Sequence, residues 1–76
     1  MTERERLVFF ERQAEEAYSR MYDARGASDT AARYSDAKEA LYSAIGIARQ
    51  LADAAAVARL EARLEHIKSV FRSQFS

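Results

Sequence analysis

The fold of this chain is decided by the segment at residues 48–57, which reads ARQLADAAAV. Before this segment, apolar side chains recur every three or four residues, as on one face of a helix: Tyr34, Ala37, Leu41, Ala44, Ala48 and Leu51. After it the same spacing continues, but two residues out of phase: Val57, Leu60, Leu64, Ile67 and Phe71. Two residues turn a helix by roughly 200°, so one straight helix would carry the two rows on opposite sides.

Two interpretations of this offset are open. A chain break near Ala52 and Asp53 resolves it, because the Asp53 side chain can cap a new helix. The alternative is a first helix plus one long helix from about 30 to 73, which the run Ala54–Ala56 and the lack of Gly or Pro at the turn favour. The long helix would need a dimer to cover both of its faces. We expect the break.

The first part of the chain predicts a further helix. Its apolar side chains also recur in steps of three and four: Leu7, Phe10, Ala14, Ala17, Met21 and Ala24. Thr2 and Glu5 match a capping box at the start of this helix, and Gly26 with Ser28 to Thr30 indicates a loop. We therefore expect an all-α fold, a small antiparallel three-helix bundle with helices at about 3–24, 30–51 and 54–73. The bundle would form a single helical domain over residues 1–76.

Small side chains on the second predicted helix favour close packing against a neighbour. Alanines stand at positions 37, 40, 44 and 48, and a glycine at position 46. Because the distance between helix axes follows the side chains at the contact, these positions predict a close approach. Gly46 costs on the order of 1 kcal/mol relative to Ala inside a helix, so we expect a packing reason for it.

The composition excludes several classes of function. The chain of 76 residues has twelve basic and twelve acidic side chains, one histidine and no cysteine. It therefore has no net charge to attract polyanions, and no thiol for catalysis or metal binding. We expect no catalytic, metal or cofactor-binding residues, no small-molecule substrate and no enzyme activity. The apolar run Leu7–Phe10 is far shorter than a signal peptide or membrane span, which predicts a cytoplasmic protein without membrane contact.

Apolar side chains outside the helical rows are the best candidates for function. Val8 and Phe9 share their helix faces with charged residues, and three apolar residues crowd the other end of the chain. We predict an interaction surface for self-association or a protein partner, with arginines at its rim: Val8, Phe9, Arg12, Val70, Phe71, Arg72 and Phe75. The alternative is that the four phenylalanines, Phe9, Phe10, Phe71 and Phe75, close one end of a monomeric bundle.

A second functional class is association with nucleic acid. The last helix carries Arg59, Arg63, Lys68 and Arg72 against Glu61 and Glu65. A local excess of two positive charges is small, because salt-sensitive DNA binders typically make about six to ten phosphate contacts. A solvated basic face is the simpler interpretation, so nucleic-acid binding is the less favoured alternative.

The stretch ALYSAIGIARQLAD at residues 40–53, followed by Ala58, Leu64 and Ile67, resembles a tetratricopeptide-like helical hairpin. The resemblance covers residues 40–67, and Ala52 stands where the family has a glycine in the turn. Such repeats are about 34 residues long and bury a continuous core by stacking neighbours. The resemblance implies a helical hairpin that binds another protein and has no catalytic role.

Overall fold

The computed structural model describes residues 1–75 and consists of helices throughout. Three α-helices follow one another: α1 (Glu3–Asp23), α2 (Ala27–Gln50) and α3 (Ala54–Val70). A π-helical turn at Phe71–Phe75 continues directly from α3. The helices run up, down and up, so α2 is antiparallel to both neighbours and α1 is parallel to α3. The predicted all-α three-helix bundle is confirmed.

The start of α1 is fixed by the predicted capping box. The Thr2 side chain accepts a hydrogen bond from the Glu5 amide at 3.1 Å, and the Glu5 carboxylate accepts one from the Thr2 amide at 2.9 Å. Two of the unpaired amides at the helix end are satisfied in this way. The helix ends at Asp23, one residue before the predicted boundary.

The start of α2 differs from the prediction, because the helix begins at Ala27 and not near residue 30. Gly26 is the N-cap residue and has a φ of 92°, a backbone conformation that glycine adopts without steric cost. Thr30, which the sequence places in the loop, lies in the first turn of the helix and is buried. Its hydroxyl donates to the Gly26 carbonyl at 2.9 Å, so it stabilises the turn from inside the helix.

The break between α2 and α3 lies at Ala52 and Asp53, as the apolar offset predicts. The Asp53 amide donates to the Ala48 carbonyl and the Ala52 amide to the Arg49 carbonyl, both at 3.0 Å, which is the Schellman arrangement. Ala52 has a φ of 55°, the left-handed conformation that usually falls to glycine. The Asp53 side chain then accepts from the Ala56 amide at 3.0 Å and caps α3. The single long helix over 30–73 is therefore wrong.

Small side chains are buried on both α1 and α2, which lie close together. Ala14, Ala37 and Ala44 are fully buried, so the two backbones approach each other closely. Larger side chains fill the space where α3 covers this pair. The buried apolar core comprises Leu7, Ala14, Ala17, Met21, Ala37, Leu41, Ala44, Ile45, Ile47, Ala48, Ala56, Leu60, Leu64 and Ile67.

The packing role predicted for Gly46 is wrong. Gly46 lies on the exposed side of α2, and a Cβ atom added there would meet nothing within 4 Å. The fully buried small residues of α2 are Ala37, Ala44 and Ala48, while Ile45 and Ile47 widen the buried side of the helix. The helix therefore carries the cost of an interior glycine without a contact inside the molecule that requires it.

The last predicted helix also ends differently. Its α-helical part stops at Val70, and the remaining residues to Phe75 form the wider π-helical turn. The Ser73 hydroxyl donates to the Ser69 carbonyl at 3.0 Å within this turn. Among residues 1–75, no helix combines the length and apolar character needed to cross a lipid bilayer.

Candidate protein-interaction surface

An exposed apolar pair lies on the outer side of α1. Val8 and Phe9 each keep 45% of their surface accessible, although both are large apolar residues. Glu5 and Arg12 lie one helical turn before and after this pair and line the same shallow groove. We call the four residues Glu5, Val8, Phe9 and Arg12 the Val8–Phe9 patch.

Helix geometry explains why this pair is left outside. Leu7 points into the core and is buried. Each following residue turns by about 100°, so Val8 points outward and Phe9 lies at the edge of the groove between α1 and α2. Phe10 returns towards α2 and is half-buried. Its ring meets the Phe9 ring edge-to-face, with centroids 5.3 Å apart, and holds Phe9 against the surface of the bundle.

The charges beside the pair are available for a partner. Arg12 is exposed and takes part in none of the ion pairs found among residues 1–75. Glu5 is also exposed, and its hydrogen bonds with the Thr2 backbone and side chain lower the pKa of its carboxyl. Glu5 is therefore negative and Arg12 positive at neutral pH. One carboxylate oxygen of Glu5 accepts a hydrogen bond from the Thr2 amide at 2.9 Å.

The C-terminal half of the predicted surface is covered by the molecule itself. The Phe71 ring stacks on Tyr34 of α2, with centroids 3.9 Å apart, and Phe75 meets Tyr22 of α1 at 5.2 Å. Val70 is half-buried beside them, and Arg72 is exposed. The π-helical turn brings Phe71 and Phe75 together between α1 and α2. These residues form an internal aromatic cluster and not an open patch.

The phenylalanines therefore do not meet at one end of the bundle. Phe9 and Phe10 lie in the first half of α1, whereas Phe75 contacts Tyr22 near its end. Twelve residues of helix separate Phe10 from Tyr22, which is roughly 18 Å at 1.5 Å per residue. The expectation that all four phenylalanines close one end is wrong, because a parallel α1 and α3 place the two termini at opposite ends.

Ion pairs connect α1 with α3 along one edge of the bundle. Arg63 binds Glu15 through two hydrogen bonds, of 2.6 and 2.8 Å, and Arg59 binds Glu11 in the same two-pronged way. A third pair joins Arg4 to Asp53 at 2.7 Å. The hydrogen bond with Glu15 raises the pKa of Arg63, and the one with Glu11 raises the pKa of Arg59. The α1–α3 edge is thus polar, with Leu41 of α2 beneath it.

These ion pairs involve the basic residues of α3 on which the nucleic-acid alternative was based. Arg59 and Arg63 are held by carboxylates of α1, and Lys68 lies 3.7 Å from the Glu65 carboxylate. A phosphate would have to displace these partners before it could contact the arginines. The basic face predicted from the last helix is therefore largely neutralised at this edge.

The surroundings of His66, the one histidine of the chain, do not support a catalytic or metal-binding role. Its ring lies 6.3 Å from the Tyr18 ring, edge to face. The Tyr18 hydroxyl is 3.1 Å from the Tyr22 hydroxyl, and this hydrogen bond raises the pKa of Tyr18. Among residues 1–75, no three acidic or histidine side chains come together to hold a metal ion.

Sequence reasoning found Val8, Phe9 and Arg12 together but missed Glu5 as part of their surface. The available signal was the spacing of three residues from Glu5 to Val8 and of four from Val8 to Arg12. The partners of Arg59 and Arg63 had no such signal, because Glu11 and Glu15 lie 48 residues away. No protein-family model, curated protein or solved structure matches this chain.

Proposed function

We propose that this protein is a small, non-catalytic helical interaction module that associates with itself through the Val8–Phe9 patch. The observation that carries the proposal is the adjacent pair Val8 and Phe9, each 45% exposed, on a helix whose Leu7 and Met21 side chains are buried. An aromatic side chain that gains burial on association contributes strongly to binding, at roughly 25 cal/mol per Å² of apolar surface.

The rest of the molecule agrees with this role. The C-terminal phenylalanines are packed against tyrosines of the same chain, so α1 carries the better surface for a partner. The clustered charges at the α1–α3 edge are paired with each other, and no three acidic or histidine side chains among residues 1–75 come together to hold a metal ion, so neither feature supports catalysis. The resemblance to a tetratricopeptide-like hairpin also favours protein binding. We propose a cytoplasmic location, in keeping with a chain that is free of cysteine.

The experiment that tests this proposal is sedimentation equilibrium over micromolar concentrations. We expect wild-type protein to populate a dimer and Phe9→Glu to remain monomeric, because a buried charge at the interface is strongly unfavourable. Tyr42→Glu is the matched control, since Tyr42 is 53% exposed on α2 and lies outside the patch. A wild-type monomer at every concentration would exclude self-association, and equal weakening by both variants would exclude the patch.

Nucleic-acid association is the less favoured alternative, because Arg59 and Arg63 already bind Glu11 and Glu15. Fluorescence anisotropy with duplex DNA at two salt concentrations distinguishes the two roles. We expect no salt-dependent signal. A signal that is lost in the Arg59→Gln and Arg63→Gln variants would favour nucleic acid instead.

A further inference from the structure

The charge pattern of α1 is complementary to itself when it is read in the opposite direction. Residues 5–12 read ERLVFFER. If this segment lies against an antiparallel copy, with the centre between Val8 and Phe9, then Glu5 of each copy faces Arg12 of the other, and the Val8 and Phe9 side chains of the two copies meet at the centre. A two-fold axis repeats this Glu5–Arg12 pair on the other side of the centre.

The side chains that such a pairing needs are on the outside of the bundle. Glu5, Val8, Phe9 and Arg12 are all exposed. Leu7 is buried and Phe10 half-buried against α2, so they do not compete for the partner. The four outer residues follow one another at steps of three and one, and they occupy one continuous strip of the helix surface.

Only one direction of pairing matches the charges. In the antiparallel arrangement, each Glu5 meets an Arg12, and these ion pairs flank the two apolar pairs at the centre. In a parallel arrangement, Glu5 would face Glu5 and Arg12 would face Arg12, which is unfavourable. Arg12 makes no ion pair among residues 1–75, so the contact costs no existing one.

We infer that the occupant of the Val8–Phe9 patch is a second copy of this chain, with the two α1 helices antiparallel about a two-fold axis between Val8 and Phe9. Glu5 of each copy binds Arg12 of the other. This inference rests on the proposed self-association and adds its direction, its register and its charge partners. The two α1 helices overlap over residues 3–14 of each copy, about 12 residues or roughly 18 Å, which corresponds to a small and reversible interface.

Exchange of the two charges tests the register. Arg12→Glu leaves only negative charge at the flanks and Glu5→Arg leaves only positive charge, so each variant alone should dimerise at least tenfold more weakly than wild type. An equimolar mixture of the two variants restores every ion pair, and so does the double variant with both changes. We expect both to dimerise within about threefold of wild type in sedimentation equilibrium.

The direction is tested independently with a spin label, which needs no change in the patch. Ser19 is exposed on α1 and outside the paired segment. A label on Ser19→Cys should lie roughly 32 Å from its copy along an antiparallel pair, since 21 residues separate the two at 1.5 Å each. A parallel pair would bring the labels within about 15 Å. Because Glu5 also caps α1, this measurement remains decisive if Glu5→Arg does not fold, which circular dichroism would reveal.

The outcomes separate this inference from the proposed function. A wild-type protein that stays monomeric overturns both. If wild type dimerises but the mixed variants stay apart, or the labels lie within 20 Å, then self-association stands and the antiparallel pairing is wrong. Recovery in the mixture together with a long label distance supports the pairing.

Discussion

The helix α1 contacts its two neighbours in different ways. Against α2 the two backbones run close together, and small core side chains such as Ala14 and Ala44 are fully buried. Against α3 the contact runs along a polar edge, where Glu11 and Glu15 bind arginines across the groove. Close packing tolerates little change in side-chain volume, whereas an exposed ion pair gains little net energy because water competes for both charges.

This difference indicates which contact fixes the distance between the helices and which one fixes their register. Small side chains set the distance between α1 and α2, and any larger side chain there must push the helices apart. The ion pairs set the register between α1 and α3 with a constant offset of 48 residues, but each contributes only a small energy. Stability should therefore respond strongly to changes at the first contact and weakly to changes at the second.

The largest effect is expected from Ala14→Leu. Ala14 has no exposed surface and lies between α1 and α2, so the added side chain has no space. We expect a loss of about 3 kcal/mol in the free energy of unfolding, measured by urea denaturation and circular dichroism. Ala32→Leu is the control, because Ala32 is exposed on α2 and should change stability by less than about 0.5 kcal/mol. Equal effects of both substitutions would contradict the close contact.

Ala52→Gly, in the turn between α2 and α3, is expected to increase the free energy of unfolding by less than Ala14→Leu decreases it. Ala52 has a φ of 55°, which costs an alanine roughly 1 kcal/mol more than a glycine. We expect the free energy of unfolding to rise by about 1 kcal/mol in the same assay. Ala58→Gly, at an exposed position inside α3, should lower it by about 1 kcal/mol. Destabilisation by both variants would show that the turn does not need its left-handed residue.

The polar edge itself should contribute less. The Glu15 and Arg63 side chains are 49% and 37% exposed, so water screens their attraction. A double-mutant cycle with Glu15→Gln and Arg63→Gln should give a coupling energy of about 0.5 kcal/mol. It should decrease further in 1 M salt. A coupling energy above about 2 kcal/mol would place the main stabilisation of the bundle at the α1–α3 edge. It would contradict the expectation that the α1–α2 contact contributes more.

The smallest effect is a pH dependence at the end of the same edge. Hydrogen bonds from Arg4 and from the Ala56 amide lower the pKa of Asp53. A carboxyl with a lower pKa in the folded state adds stability above its unfolded pKa and loses it as the pH falls through the folded value. The difference in Tm between wild type and Asp53→Asn should therefore be constant above about pH 5 and shrink below roughly pH 4. Glu39→Gln, outside these hydrogen bonds, serves as the control, and an unchanged difference at low pH would contradict the role of Asp53.

Local features of the fold were predictable. The capping box of Thr2 and Glu5 and the cap at Asp53 lie within four residues of the groups they bind. The break at Ala52 followed from the two apolar rows, because helix geometry converts an offset of two residues into opposite sides. The start of α2 was predicted too late. Gly26 caps this helix through its backbone conformation, whereas Ser28 to Thr30 carry the side chains that usually cap a helix.

The candidate site was predictable only in its local half. Val8, Phe9 and Arg12 lie within about one turn of α1, so helix spacing alone brings them together. The predicted grouping of these residues with Phe71 and Phe75 required the start of α1 and the end of α3 to lie at the same end of the bundle. The π-helical turn places those rings on Tyr34 and Tyr22, and no periodicity in the sequence indicated these contacts.

Three helices, the caps of α1 and α3, the outward position of Val8 and Phe9 and the reversal at Ala52 follow from the sequence alone, because these features depend on hydrogen bonds and side-chain directions within a few residues. Only the packing of the three helices brings Glu11 and Glu15 to the arginines of α3, and Tyr34 and Tyr22 to the C-terminal phenylalanines. Burial and pairing at such distances depend on the register between helices. That register results from the packing of the whole core and is not encoded in any single segment.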